Sequence, residues 1–204
     1  MSKISVTPNA SGTGNFTIAS PNSSTDRTLT LPDNTGTILT SATNTNFPAG
    51  SIIQVVQTVK TDVFSTSSSS FVDWTGMSVT ITPKSATNKI LITLTSGVSN
   101  ATTNNFAYVK LVRDSTDIAL GDASGSATRC WIDAAFGTQS FGEPVQKPLT
   151  GSFLDSPATT SATTYKLQVI RTLNGTSFFG RSSNTDDANR SSIPSVLTVM
   201  EVVA

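Results

Sequence analysis

The chain has 204 residues, enough for one domain of ordinary size and a smaller region beside it. Its 13 basic and 13 acidic side chains cancel and are spread along the chain, so no basic cluster exists to neutralise a phosphate backbone, and nucleic acid is not expected as a partner. There is no histidine and one cysteine, Cys130, which removes imidazole bases, Ser-His-Asp and Cys-His nucleophiles, His-ligated zinc, CxxC motifs and any disulfide within the chain.

Ser and Thr number 30 and 34, so nearly a third of the chain is small hydroxyl side chains. Thr suits a pleated surface, whereas Ser and Asn suit turns. Such a composition also fits a disordered stalk, but here the apolar residues are phased in several runs rather than scattered. No apolar run approaches the roughly 20 residues that span a bilayer as a helix. The first residues, Met1 to Ser11, lack the apolar stretch of a signal peptide.

Residues 1–46 read as a distinct region. Asn15-Phe-Thr-Ile-Ala, Arg27-Thr-Leu-Thr-Leu and Gly36-Thr-Ile-Leu-Thr are short strand-like pieces separated by turn clusters at Ser20–Asp26 and Pro32–Gly36. Their apolar content, Phe16, Ile18, Leu29, Leu31, Ile38 and Leu39, is too small for an independent core. The expectation is burial against copies of the chain or against a larger assembly. Thr43–Ala49 reads as a linker, and residues 50–204 as a second region.

That second region opens with the strand Ser51-Ile-Ile-Gln-Val-Val-Gln-Thr-Val-Lys. Gln54 and Gln57 break its alternation, which predicts a bulge or burial on both faces. Ser65–Ser70 reads as a loop. Phe71–Leu94 reads as a hairpin, with Met77, Val79 and Ile81 alternating with small polar residues, a turn at Pro83–Asn88, and Ile90, Ile92 and Leu94 on one face of the return strand. The uncharged Thr80, Thr82, Thr93 and Thr95 would then share an outer face covered by a neighbouring subunit.

Further strands are predicted at Phe106–Asp114, Ile118–Leu120, Arg129–Phe136, Leu149–Leu154, Tyr165–Arg171, Thr176–Gly180 and Ser195–Val203. Asn174-Gly175 is a two-residue hairpin signal, and Arg181–Ser192 reads as a long polar loop. No segment sustains a 3.6-residue period. The fold class is therefore all-β: a C-terminal antiparallel β-sandwich, jelly-roll-like, preceded by a short extended N-terminal region of strands.

Chemistry, if present, belongs to loops held by rigid strands. Trp131, Phe178, Phe179, Arg181, Asp186 and Asp187 are the candidates for binding a glycan, because aromatic faces stack on sugars while Asp and Arg hydrogen-bond hydroxyls. The same aromatics also fit core or subunit-contact roles. Asp186-Asp187 is too small a set to imply a calcium site, so no metal or cofactor is assigned. Cys130 reads as a small packing residue. No spacing of the eleven Asp and two Glu signals a glycosidase pair, so no catalytic residue is assigned.

Two segments resemble bacteriophage virion proteins of the tail-fibre and head-fibre type. One is Gly14-Asn-Phe-Thr-Ile-Ala-Ser-Pro followed by Arg27-Thr-Leu-Thr-Leu-Pro-Asp-Asn-Thr-Gly-Thr-Ile-Leu. The other, a looser match, combines the Phe71–Leu94 stretch with Thr164-Tyr-Lys-Leu-Gln-Val and Leu197-Thr-Val-Met-Glu-Val. The resemblance implies a homotrimeric, non-enzymatic virion protein, made in the host cytoplasm and joined to other virion proteins through residues 1–46. Its C-terminal domain would face the host surface. A tail fibre of this kind carries a longer N-terminal adaptor, which leaves a capsid decoration or head fibre as one alternative and a polysaccharide-degrading tailspike as another.

Overall fold

The computed structural model describes residues 7, 10–15, 17, 19, 22–26, 28, 30, 47–101, 105–136, 146–173, 175–183 and 191–204. The chain divides into two compact units, Met1–Thr37 and Ile38–Ala204. Phe16, Ile18, Leu29, Leu31, Ile38 and Leu39, expected to make the attachment and oligomer contacts, lie outside the described residues, as do Asp186 and Asp187.

The described strands are β1 (Ile52–Lys60), β2 (Phe64–Thr66), β3 (Val72–Ile81), β4 (Lys89–Asn100), β5 (Asn105–Arg113), β6 (Thr116–Ile118), β7 (Ile132–Phe136), β8 (Lys147–Asp155), β9 (Thr163–Arg171), β10 (Ser177–Phe179) and β11 (Ser195–Val202). All pairings are antiparallel. Sheet A runs β1-β11-β4-β8, with β10 and β2 continuing along the far end of β4; sheet B runs β3-β9-β5-β7, with β6 beside β5. Leaving out the three short strands β2, β6 and β10, this is the strand order of a jelly roll. The all-β sandwich read from the sequence is the fold.

Alternation puts one face of each strand inward. Met77, Val79 and Ile81 meet Ile90, Ile92 and Leu94, with Val109, Leu111, Tyr165, Leu167, Val169, Leu197 and Val199 completing the core. Each fully buried aliphatic side chain stabilises the fold by about 1.5–3 kcal/mol. At one end the core turns aromatic: the Trp74 ring lies 4.4 Å from Phe179 and 6.2 Å from Phe64, centroid to centroid.

The Phe71–Leu94 stretch is not a paired hairpin. β3 belongs to sheet B and β4 to sheet A, so residues 82–88 arch across the sandwich. The alternation is correct on both strands, but two inward faces can meet across a core as well as side by side. In consequence Thr80 faces out from sheet B, hydrogen-bonded to Thr164 at 2.9 Å, while Thr93 and Thr95 lie on the outer side of sheet A. The four threonines do not share a face.

The arch is fixed by a buried carboxylate. Glu201 is 0% exposed, and its Oε1 accepts hydrogen bonds from the Lys84 backbone N–H (2.6 Å) and Asn88 Nδ2 (2.7 Å). The end of the Gln54 side chain reaches Glu201 Oε2 and the Thr82 carbonyl, and the amide turned to donate satisfies both at 3.2 Å. The predicted break in β1 is a bulge between Ile52 and Gln54, and it brings Gln54 into this cluster.

A larger irregularity sits in β3. Between Asp73 and Ser78 the strand advances five residues against two of β9, and Gly76 adopts a φ of 85°. This lets Trp74 and Met77 both point inward. β2 takes in Ser65 and Thr66, the first two residues of the run read as loop, because Phe64 is drawn into the aromatic cluster. β9 and β10, the strands that a hairpin at Asn174-Gly175 would pair, lie in sheets B and A, and Asn174 itself is outside the described residues.

Candidate functional site

The topology gives the sandwich two unlike poles. At the entry pole the chain arrives through Pro48–Ser51, tied by Gly50 N–H to the Val203 carbonyl at 2.8 Å and by Val203 N–H to the Ser51 carbonyl at 2.9 Å. The arch at 82–88, the β5–β6 turn and the β8–β9 connection lie at this pole. Here Asp155, 6% exposed, accepts from Arg113 (2.8 and 2.9 Å) and from the Tyr165 hydroxyl (2.7 Å). Burial, and next the hydrogen bond to Asp155, push the Tyr165 phenol well above its ordinary range.

At the far pole β4 ends, β5 begins, β7 ends, β8 begins, β9 ends and β10 begins. Of the sequence-derived candidates, Phe178, Phe179 and Arg181 lie here. Phe178 and Phe179 are split by the pleat. Phe179 is 1% exposed, in the aromatic cluster, so it offers no face to a ligand, and its assignment to a glycan site is corrected. Phe178 points to the outer side of sheet A, with the Arg181 guanidinium 4.5 Å from its ring centroid. Trp131 sits elsewhere: half-buried, it lies with Ile132 against Gly151 of β8, where an added Cβ would come within 3.0 Å of its ring. Of the six candidates, the described structure brings together Phe178 and Arg181.

The described ends of the 181–192 segment are tied to each other and to β4. Arg181 bridges Ser192, Ser182 N–H donates to the Ser191 carbonyl at 3.1 Å, and Ser99 Oγ donates to the Arg181 carbonyl at 2.9 Å. Ser191 Oγ donates to Gln146 Oε1 at 2.6 Å, and the Gln146 side chain lies against Gly97, where an added Cβ would come within 3 Å of it and force it to shift. Gln146, Gly97, Ser99 and Ser191 were not singled out from the sequence. The one usable signal was a glycine inside the strong β4 pattern, which marks close approach of another segment.

Cys130 is half-buried and its thiol is pushed up by burial, next by the Asp133 carboxylate, which disfavours a reactive thiolate.

The outer faces of the two sheets differ. On sheet A the register aligns Val55, Met200, Leu91 and Leu154 in one row, Gln57, Thr198, Thr93 and Ser152 in the next, and Val59, Val196, Thr95 and Thr150 in a third. No residue in these rows is charged. On sheet B, Lys166 pairs with Asp73 at 2.9 Å and Lys110 with Asp117 at 2.5 Å, and Lys110 also lies 4.4 Å from the Phe71 ring centroid.

No family model matches the chain, and no curated protein matches it. Among solved structures it is similar to a chain in "Structure of infectious bursal disease virus Gx strain", at 12% identity and a TM-score of 0.38. That match covers 82% of this chain and 46% of the other, so this chain spans less than half of its length.

Proposed function

We propose that the chain is a non-enzymatic structural protein of a bacteriophage particle, of the tail-fibre type. It docks on other virion proteins through residues 1–46, assembles as a homotrimer and turns the far pole of its jelly roll toward a host-surface glycan. The observation that carries this reading is the separation of the poles. The chain enters at one end, while the strand ends bordering Phe178 and Arg181 lie at the other, the arrangement an adhesive module needs if one end is anchored. The phage-type motifs of the sequence support the same assignment. Localisation is then the virion surface, with neither cofactor nor metal in the mechanism.

Binding of the labelled full chain to intact host cells tests the reading. Phe178→Ala with Arg181→Ala is expected to weaken binding at least about tenfold, roughly 1.4 kcal/mol, while the far-ultraviolet circular dichroism stays unchanged. No binding by the unaltered chain, together with labelled protein found on the capsid, would make it a decoration or head fibre. Oligosaccharides released from host polysaccharide, and lost on changing one carboxylate, would make it a tailspike.

A further inference from the structure

Seven large apolar side chains stand exposed among the described residues, and four of them lie on the outer side of sheet A. Val55 is 59% exposed, Val59 51%, Leu154 46%, and Ile52, one row nearer the entry pole, 53%. Leu91 and Met200 fill the ground between Val55 and Leu154. Apart from Lys89, which shares the rim row with Ile52 and Val202, this four-stranded face is apolar, rich in threonine and uncharged, which is not what an antiparallel sheet presents to water alone.

We propose that this face is covered by a second copy of the same chain, and is the contact that holds the assembly together. The proposal rests on the homo-oligomer in the reading above and assigns it a surface. Charge selects the occupant. A partner recognised by its ions finds nothing on these rows to pair with, whereas a copy brings no like charge against it and leaves no buried ion unpaired. Docking of copies through sheet B would instead desolvate Asp73, Lys166, Lys110 and Asp117. The route of the chain points the same way. It enters the sandwich through β1, the strand carrying Val55 and Val59 at the rim of the face, so copies joined through the preceding residues meet along that strand.

Sedimentation velocity on the full chain at micromolar concentration reads the outcome. The unaltered protein is expected at a multiple of 21.3 kDa. Val55→Lys with Leu154→Lys should shift it to the monomer, at least a hundredfold rise in dissociation constant, with circular dichroism and cooperative melting retained. Thr80→Lys, on the outer side of sheet B, should leave the mass unchanged. Should the lysine pair fail to fold, Val55→Thr with Leu154→Thr keeps strand propensity and should weaken assembly about tenfold. An unaltered mass in these variants overturns the assignment of this face while the assembly survives. A monomeric unaltered chain overturns both, including where the chain's own N-terminal residues prove to cover the face.

Discussion

On sheet B the outer face carries Asp73, Lys166, Lys110 and Asp117 as cross-strand ion pairs at the surface, whereas sheet A turns Glu201 and Asp155 inward and leaves three successive outer rows uncharged, with Lys89 only at the rim. The two arrangements do different work. An exposed pair keeps most of its hydration, gains little from its partner and leaves its face compatible with water. A buried carboxylate is tolerated only where donors saturate it, and each such site then fixes one arrangement of the chain around it. Sheet A uses both of its inward carboxylates at the entry pole, Glu201 to hold the arch and Asp155 to join β8 to β5 and β9.

The largest expected effect comes from removing the first of these. Glu201→Ala leaves the buried Asn88 amide, and the part-buried Lys84 N–H, without their acceptor, and should cost about 2–4 kcal/mol in urea unfolding. Asp73→Ala, on the other sheet, should cost less than about 1 kcal/mol. Equal costs would break the comparison, because they would mean that Glu201 is held no more firmly than a surface carboxylate.

Asp155 offers a titration with a definite sign. Tyr165 has its folded-state pKa raised, by burial first and by its hydrogen bond to Asp155 next. In the unfolded chain the phenol ionises near its ordinary value of about 10, while the folded protein keeps the proton. The stabilisation from this site is therefore fully present below about pH 10 and declines above it, at up to about 1.4 kcal/mol per pH unit. Tyr165→Phe should cost about 1 kcal/mol at neutral pH, through the lost hydrogen bond, and remove that alkaline slope. A slope that survives the substitution would place the alkaline loss elsewhere.

The sandwich was legible in the sequence because the core strands alternate cleanly. Met77, Val79 and Ile81, or Tyr165, Leu167 and Val169, declare an inward face without knowledge of their neighbours. Pairing was not legible. The 71–94 stretch and the Asn174-Gly175 signal both suggest hairpins, but alternation does not say whether two faces are joined by hydrogen bonds or meet across a core. β2 carries little local pattern because its three residues open a serine-rich run, and Phe64 belongs to a sheet through its pairing with Phe179 of β10 and its ring contacts with Trp74 and Phe179. At the far pole the residue types were readable but their sides were not. Whether Phe178 or Phe179 faces outward depends on the register against β4, set by a neighbour nearly eighty residues earlier in the chain. The uncharged rows of sheet A come from four strands scattered from β1 to β11, so no local window displays them.

The smallest expected effect lies on sheet B. The Asp73 carboxyl is held below its ordinary pKa, mainly by the hydrogen bond from Lys166 and next by that from Gln168. A lowered folded-state pKa stabilises above the unfolded value of about 3.9 and is lost as pH falls through the folded one. Its side chain is 55% exposed, however, so solvent screening reduces the pair to a few tenths of a kcal/mol at most. A double-mutant cycle of Asp73→Asn and Lys166→Gln should give a coupling of about that size at low salt and almost none near 1 M, where the screening length falls to about 3 Å. A coupling above about 1 kcal/mol that survives salt would mean that the pair is shielded from water, and sheet B would then be the covered face. A weak, salt-sensitive coupling leaves sheet B hydrated and the uncharged rows of sheet A as the surface whose exposure needs a partner.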